Sequence, residues 1–263
     1  MRRLSALRPE IERRIRAANK VLVFLDYDGT LVPIQPTPEL ARLSAERKKL
    51  LARLTRLSRF KAGLLTGRSL KDIRKAVGLS GLFYAANYGL AIVTPQKSWV
   101  HPGARQQVFA LKKMLPSLKK LSLDFRGVRI EDKTLTAAIH YRQYRGKAGR
   151  LKTRLLEIIG ARPHPFRLKT GKKVFEVYPA VKWDKGRALL KVEQMLGYRK
   201  KPLVIFIGDD EADEAAFRRM GARDIPVAVG RRKKTAARCF CKNSGEVARF
   251  LKLLWKAGAN EKN

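Results

Sequence analysis

Residues 21–25 read VLVFL, a run without a polar side chain that stops at the carboxylate of Asp26. A second apolar run, PLVIFIG at 202–208, stops at Asp209 and Asp210. A strand with one solvated face alternates apolar and polar residues. An unbroken run therefore implies burial on both faces, as in an inner strand of a parallel sheet covered by helices. The stretches around these runs fit that frame. Leu40, Leu43, Leu50, Leu54 and Leu57 recur at helical spacing and predict a helix over 40–57 with one interruption. FKAGLLT at 60–66 predicts a strand, Ser69 caps a helix that buries Leu70, Ile73 and Val77, and GLFYAA at 81–86 predicts a third strand. Later, Asp184 caps a helix with Leu189, Val192 and Leu196 on its buried face. IPVAVG at 225–230 is expected to be the last strand of the sheet, and a helix over 246–256 buries Val247, Phe250, Leu251 and Leu254. The fold class is α/β, with a Rossmann-like parallel-sheet core. In such sheets ligands gather outside the carboxyl ends of the strands, where Asp26, Thr66 and Asn87 fall.

From about residue 97 the rhythm changes. Residues 121–142 read as β-like, with a glycine turn between Phe125 and Ile130. A helix is expected over 147–159, with Leu151, Leu155, Ile158 and Ile159 on one face, followed by a hairpin over 166–179 turning at Thr170-Gly171. These signals predict an α+β domain at 99–181 inserted into a core formed by 1–98 and 182–263.

The chain has 263 residues, 45% of them hydrophobic, enough for a sizeable core, and no apolar run long enough to cross a bilayer. Its start, MRRLSALRPEIERRIRAANK, is basic without an apolar centre, so a cytoplasmic location is expected. Cys239 and Cys241 stand one residue apart, a spacing that fits neither a disulfide framework nor a zinc site; they are read as reduced thiols near the surface. The 59 Lys and Arg against 22 Asp and Glu give a formal charge of +37. Such a field attracts polyanions in a salt-dependent way. The basic residues are spread along the chain without interleaved aromatics, so the expected affinity is non-specific and no dedicated nucleic-acid partner is expected.

Chemistry concentrates at the strand ends. Asp26 and Asp28, followed by Gly29 and Thr30, place two carboxylates in one turn, where they repel unless a cation or a proton intervenes. Asp209, Asp210 and Asp213 end another buried strand, and a parallel sheet brings both groups to one rim. Such oxygen donors suit Mg²⁺, which keeps waters and meets substrate phosphate. Thr66 and the N–H groups of TGRS supply phosphate donors at a helix start, and Lys185 supplies a mobile positive charge. In this arrangement Asp26 attacks phosphorus, and Asp28 serves as acid and then base.

DYDGT (26–30), LLTGRS (64–69), Lys185 before Gly186, and GDDEADE (208–214) occur in order. In this the chain resembles the haloacid-dehalogenase-like phosphatases. The resemblance implies Asp26 as nucleophile, Asp28 as acid/base and Thr66 with Lys185 as the phosphate-binding pair. Gly67 and Arg68 are read as substrate-binding, with Arg68 open to two roles, approaching phosphate or pairing with an acidic neighbour. It implies Asp26, the Asp28 carbonyl, Asp209 and Asp210 around Mg²⁺, with Asp213 in support. The insertion resembles the type C2 cap of that superfamily. HPGA at 101, EDKTLTAAIHYR at 131–142 and VFEVYPAVKWDKGRAL at 174–189 are most similar to trehalose-6-phosphate phosphatases. That likeness implies Glu131, Lys133, His140, Arg142 and Glu176 as sugar or phosphate contacts. It also implies hydrolysis of trehalose 6-phosphate by a Mg²⁺-dependent phosphomonoesterase, and a separate trehalose-6-phosphate synthase that makes the substrate. One stretch departs from the pattern: relatives show His-Gly followed by Glu where this chain has Asn87, Tyr88, Gly89, Leu90 and Ala91. The alternatives are a phosphatase for sucrose phosphate, mannosylglycerate phosphate or a smaller sugar phosphate, a phosphomutase, and a basic nucleic-acid-binding protein on the same fold.

Overall fold

The structure, a computed structural model, describes residues 1–160 and 164–259; the remaining residues of the expected domain ranges lie outside those described. The chain begins with β1 (Arg2–Arg3), α1 (Arg8–Ala17), β2 (Val21–Leu25), α2 (Ala45–Thr55), β3 (Phe60–Leu65), α3 (Leu70–Val77), β4 (Phe83–Ala86), β5 (Ala91–Val93) and β6 (Ser98–Val100). Next come α4 (Pro102–Gln106), α5 (Val108–Asp124), β7 (Arg129–Asp132), β8 (Ala137–His140), α6 (Ala148–Ile159), β9 (Phe166–Gly171) and β10 (Val174–Pro179). It closes with α7 (Lys185–Leu196), β11 (Leu203–Gly208), α8 (Glu214–Phe217), β12 (Ile225–Val229), β13 (Cys239–Cys241) and α9 (Ser244–Ala259). Two compact units result: Met1–Trp99 with Trp183–Asn263, and Val100–Lys182. Among the described residues no helix is long and apolar enough to cross a membrane.

The first unit is built on a nine-stranded sheet in the order β1-β13-β12-β11-β2-β3-β4-β5-β6. Neighbours from β1 to β4 run parallel, and β5 pairs antiparallel with β4. The apolar run of β2 is divided between the two faces by strand alternation. Val21, Val23 and Leu25 pack with Ile11 and Ile15 of α1, Leu51 and Leu54 of α2, and Val247 and Leu251 of α9. Leu22 and Phe24 pack instead with Ala188, Leu189 and Val192 of α7 and Phe217 of α8. Both faces are covered, which is why the strand carries no polar residue.

The second unit is a four-stranded antiparallel sheet, β7-β8-β10-β9, with its own core. Leu111, Leu115, Leu118 and Leu121 of α5 and Leu151, Leu155 and Ile159 of α6 pack on Ala137, Ile139, Phe175 and Val177 of the sheet.

Several local expectations are corrected. Residues 121–124 are the last turn of α5, whose leucines repeat at three- and four-residue intervals and override the break expected of Pro116. The first helix predicted over 40–57 starts at Ala45, because Ser44 accepts a hydrogen bond from the Arg47 N–H and caps it there; Leu40 lies in a separate 3₁₀ turn. The hairpin turns at Lys172-Lys173, with Lys173 at positive φ, while Thr170 and Gly171 remain in β9. β12 is not the last strand, since β13 and then β1 extend the sheet beyond it. Cys239 and Cys241 are buried in β13, because alternation points both into the core, and burial pushes both thiols up to about 12.

Leu251 is fully buried, whereas Leu123 is 82% exposed. In urea denaturation Leu251→Ala should cost about 2–5 kcal/mol through lost transfer energy and the cavity left behind. Leu123→Ala should stay within about 0.5 kcal/mol of the parent.

Candidate active site

Register decides which side chains meet. Leu25 of β2 pairs with Ile207 of β11 on one side and with Leu64 of β3 on the other. Asp26, Asp209 and Thr66 therefore leave the sheet at one level, on the carboxyl rim. The Asp26 N–H donates to the Ile207 carbonyl at 2.9 Å, so the nucleophile candidate is held by the same ladder that ends there.

Gly29 has φ of +83°, and a Cβ at that position would lie 2.3 Å from Asp209 Oδ2. The glycine of DYDGT thus permits both the turn and the close approach of the second carboxylate strand. Thr30 is fully buried, and its Oγ1 lies 3.4 Å from Asp209 Oδ1.

Lys185 binds the rim together from the first turn of α7. Asp184 caps that helix by accepting from the Arg187 N–H, which fixes where Lys185 starts. The Lys185 ammonium is 2.8 Å from Asp26 Oδ1 and 2.6 Å from Asp213 Oδ1. Asp213 also accepts the Asp210 N–H on its other oxygen at 2.7 Å. Burial alone would pull the Lys185 ammonium down, but Asp213 and Asp26 outweigh it and raise it above its ordinary value, so it stays charged. Burial pushes the Asp26 carboxyl well up; Lys185 opposes this, and Asp213 and Asp209 reinforce it. Burial likewise raises Asp213, against the pull of Lys185.

Oxygens of Asp26, Asp209 and Asp213 lie within 4.8 Å of one another, and all three residues are buried. Asp213 is committed on both oxygens, to Lys185 and to the Asp210 N–H, so Asp26 and Asp209 are the members of this group that could hold a cation. With all three carboxylates ionised against one ammonium the local charge would be −2, which suits one divalent ion with a preference for oxygen donors. The structure does not bring the Asp210 side chain into this group; its carboxylate accepts the Glu211 N–H at 2.7 Å and caps the following turn.

Arg68 and Asp28 form a bidentate pair, with Nε to Oδ2 and Nη2 to Oδ1 both at 2.7 Å. The guanidinium also donates to the Pro38 carbonyl and lies over the Tyr27 ring, 4.7 Å from its centroid. Arg68 thus supports Asp28, which the sequence alone left open. Thr66 is buried, and its Oγ1 accepts the Arg68 N–H at 3.2 Å.

The departure at Asn87-Tyr88-Gly89 closes against this loop. The Asn87 N–H donates to the Arg68 carbonyl and the Tyr88 N–H to the Thr66 carbonyl, both at 2.8 Å. Asn87 and Tyr88 both adopt positive φ, 49° and 59°, unusual for a bulky residue such as Tyr88. The Tyr88 ring stands over Gly67, where a Cβ would come within 2.8 Å of Cζ.

The second unit gathers its own polar group on one row of its sheet, where Glu131, Ala138 and Glu176 are partners across β7, β8 and β10. Glu176 is buried and accepts from Lys133 Nζ at 3.2 Å and from Thr136 Oγ1 at 2.8 Å. Thr136 had no role in the sequence reading; its place three residues after Lys133, in the same EDKTLT segment, was the available signal. His140 Nε2 and Glu131 Oε2 are 2.6 Å apart. Arg142 is not part of this group; it is exposed and its guanidinium donates to the Lys172 carbonyl at 3.4 Å. Burial would raise the Glu131 carboxyl, but the His140 hydrogen bond and the charges of Lys133, His140 and Arg129 hold it at about 2.

A profile of the trehalose-phosphatase family matches residues 24–250. A probable trehalose-phosphate phosphatase D of Arabidopsis thaliana is 34% identical over 254 residues, covering 90% of this chain and 68% of that protein. A trehalose-phosphate phosphatase of Mycobacterium bovis is 34% identical over 222 residues, covering 81% of this chain; the chain spans only 54% of that longer protein. A solved trehalose-6-phosphate phosphatase related protein superposes with a TM-score of 0.80 at 28% identity, covering 92% of this chain and all of that one.

The depressed Glu131 value has a consequence for acid stability. Its folded value of about 2 lies below the ordinary 4.5, so the carboxylate stabilises the fold above pH 4.5 and loses that contribution as pH falls toward 2. Glu131→Gln should flatten the acid limb of stability in this window by at most about 3 kcal/mol, read from denaturation midpoints at pH 5, 4, 3 and 2.

Proposed function

The chain belongs to the trehalose-phosphatase family, and on that premise we propose that it hydrolyses trehalose 6-phosphate to trehalose and phosphate through an aspartyl phosphate on Asp26. The observation that carries the reading is the buried rim group: Asp26 joined to Lys185 and Asp213, with Asp209 beside it.

Each side chain has a task that its position supports. Lys185 favours the ionised form of Asp26 against the burial that opposes it, and offers positive charge to the phosphate oxygens. The Thr66 hydroxyl and the N–H groups that open α3 donate to the same phosphate. Asp26 forms a bond to phosphorus as the bond to the sugar oxygen breaks, and Asp28 gives that oxygen its proton. A water then attacks the phosphoryl group, Asp28 takes the water's proton, and orthophosphate leaves with Asp26 restored. Asp26, Asp209 and the Asp28 backbone carbonyl would hold the Mg²⁺ proposed here, which when bound neutralises the rim and the phosphoryl oxygens. Glu131, Lys133, His140 and Glu176 provide charged and hydrogen-bonding groups of the kind a disaccharide requires, and a separate synthase would supply the phosphorylated sugar.

Phosphate release from a panel of sugar phosphates, with Mg²⁺ and beside Asp26→Asn, tests the proposal. Preference for trehalose 6-phosphate, loss of turnover in the variant, and loss on chelation with recovery on added Mg²⁺ are expected. Preference for sucrose phosphate or a smaller sugar phosphate would keep the mechanism and discard the substrate. A folded, metal-replete protein that turned over no phosphate monoester would discard both.

The Arg68–Asp28 pair yields a sharper prediction. The proton that Asp28 gives to the leaving group is needed by the sugar phosphate and not by p-nitrophenyl phosphate, whereas the proton it takes from water is common to both. Followed as the single-turnover rate of leaving-group release, Arg68→Ala should slow the sugar phosphate by about 10²-fold and p-nitrophenyl phosphate little. Equal losses of that release rate on both substrates would contradict this alignment role.

A further inference from the structure

The loop from 230 to 238 leaves β12 on the same rim as the proposed catalytic residues. Gly208 of β11 pairs with Ala228 of β12, so Val229 stands level with Asp209 and Arg231 follows just beyond. β12 is separated from β2 only by β11, which puts it about 10 Å from the strand that carries Asp26.

This loop reads Gly230-Arg231-Arg232-Lys233-Lys234-Thr235-Ala236, the densest basic run in the first unit near that rim. It is fastened from below by Glu214, a buried carboxylate one residue after Asp213. Glu214 accepts the Thr235 hydroxyl at 2.6 Å and the Ala236 N–H at 2.9 Å, and lies 3.6 Å from the Arg232 guanidinium. The Gly230 N–H donates to the Cys241 carbonyl at 2.8 Å, which fixes the loop's other root. A continuous line of contacts therefore runs from the loop through Glu214 and its neighbour Asp213 to Lys185 and Asp26. With Arg232 turned down onto Glu214, the side chains of Arg231, Lys233 and Lys234 are exposed, and none of the three makes a hydrogen bond or ion pair within the described residues.

We propose that this loop is a substrate-capture arm: Arg231, Lys233 and Lys234 hold a positive field beside the rim that draws in the dianionic phosphate of the substrate before it meets Asp26. The inference rests on the phosphatase reading above and adds the element that collects the anion. Three cations on a loop that leaves the sheet two strands from β2 act on a dianion through water, so the attraction is sizeable at low salt and screened at high salt. At about 100 mM salt the overall charge does not stand in for them, because charges about 20 Å or more away are attenuated over two Debye lengths or more.

The test compares two variants of equal net charge. One replaces Arg231, Lys233 and Lys234 by Ser. The other replaces Arg199, Lys200 and Lys201 by Ser; these are exposed and precede β11 on the opposite rim, about 20 Å from its carboxyl end. KM and kcat are measured for trehalose 6-phosphate and for p-nitrophenyl phosphate at about 100 mM and about 500 mM salt. The arm variant is expected to raise KM about three- to ten-fold at low salt, to lose that difference at high salt and to keep kcat, while the control variant shifts KM less than about two-fold. Equal KM shifts in both variants would assign the effect to the global field and overturn the proposal. An unchanged KM, or a loss confined to kcat, would overturn it as well. Both variants are compared on whichever phosphate monoester is hydrolysed, so rejection of trehalose 6-phosphate would count against the substrate assignment and leave the arm comparison readable.

Discussion

A single buried ammonium organises the rim. Lys185 lies between Asp26 at the end of β2 and Asp213 in the loop after β11, with both contacts under 3 Å and both carboxylates out of water. A buried charge that loses its partner typically costs about 3–5 kcal/mol, so none of the three is independent of the others. The requirement propagates outward. Lys185 must sit in the first turn of α7, which Asp184 caps, and Asp213 must turn back toward β11, which its bond from the Asp210 N–H secures. Gly208 makes room for that turn, since a Cβ there would come within 2.3 Å of Asp213 Cγ. Three segments, β2, α7 and the loop after β11, are thus joined at one atom, the Lys185 Nζ.

The second unit solves a different problem with the same means. Its sheet has one apolar face under α5 and α6, so alternation sends Ala137, Ile139, Phe175 and Val177 inward and leaves Glu131, Ala138 and Glu176 on the other face. Glu176 is buried because Lys133 and Thr136 satisfy it, and the Glu131–His140 pair stands next to it on the same sheet. An antiparallel sheet holds these groups at fixed spacing.

The core was legible where one physical cause dominates. Unbroken apolar runs read correctly as inner strands, because burial on both faces leaves no other composition; the carboxylates that end them were placed on one rim because parallel strands finish on the same side. What local pattern could not reveal was set by tertiary contact. Arg68 could have reached phosphate or a carboxylate, and only the fold shows the fork closing on Asp28. Asp213 and Asp210 are both acidic residues of one short loop, and capping geometry alone decides that Asp213 turns in toward Lys185 while Asp210 turns to the backbone. The basic residues of the N-terminal segment masked Ile11 and Ile15, one helical turn apart, so α1 went unread beneath its arginines. β13 was missed for the opposite reason, since three residues carry too little periodicity to register.

The charge distribution then acquires a meaning that composition alone does not supply. Over the whole chain the excess is +37, yet the rim holds three buried carboxylates and one ammonium. A phosphate dianion approaching from solvent is attracted at long range and repelled over the last few ångströms. On the reading proposed here those two regimes have different remedies. The far field comes from exposed lysines and arginines that salt can screen, and the near field needs a cation seated among Asp26 and Asp209, where screening by salt is weak. A protein of ordinary net charge that kept both the 231–234 loop and the rim would keep both remedies. The placement of the exposed cations therefore bears on how fast and at what salt the anion arrives, and the buried group bears on what happens to it afterwards.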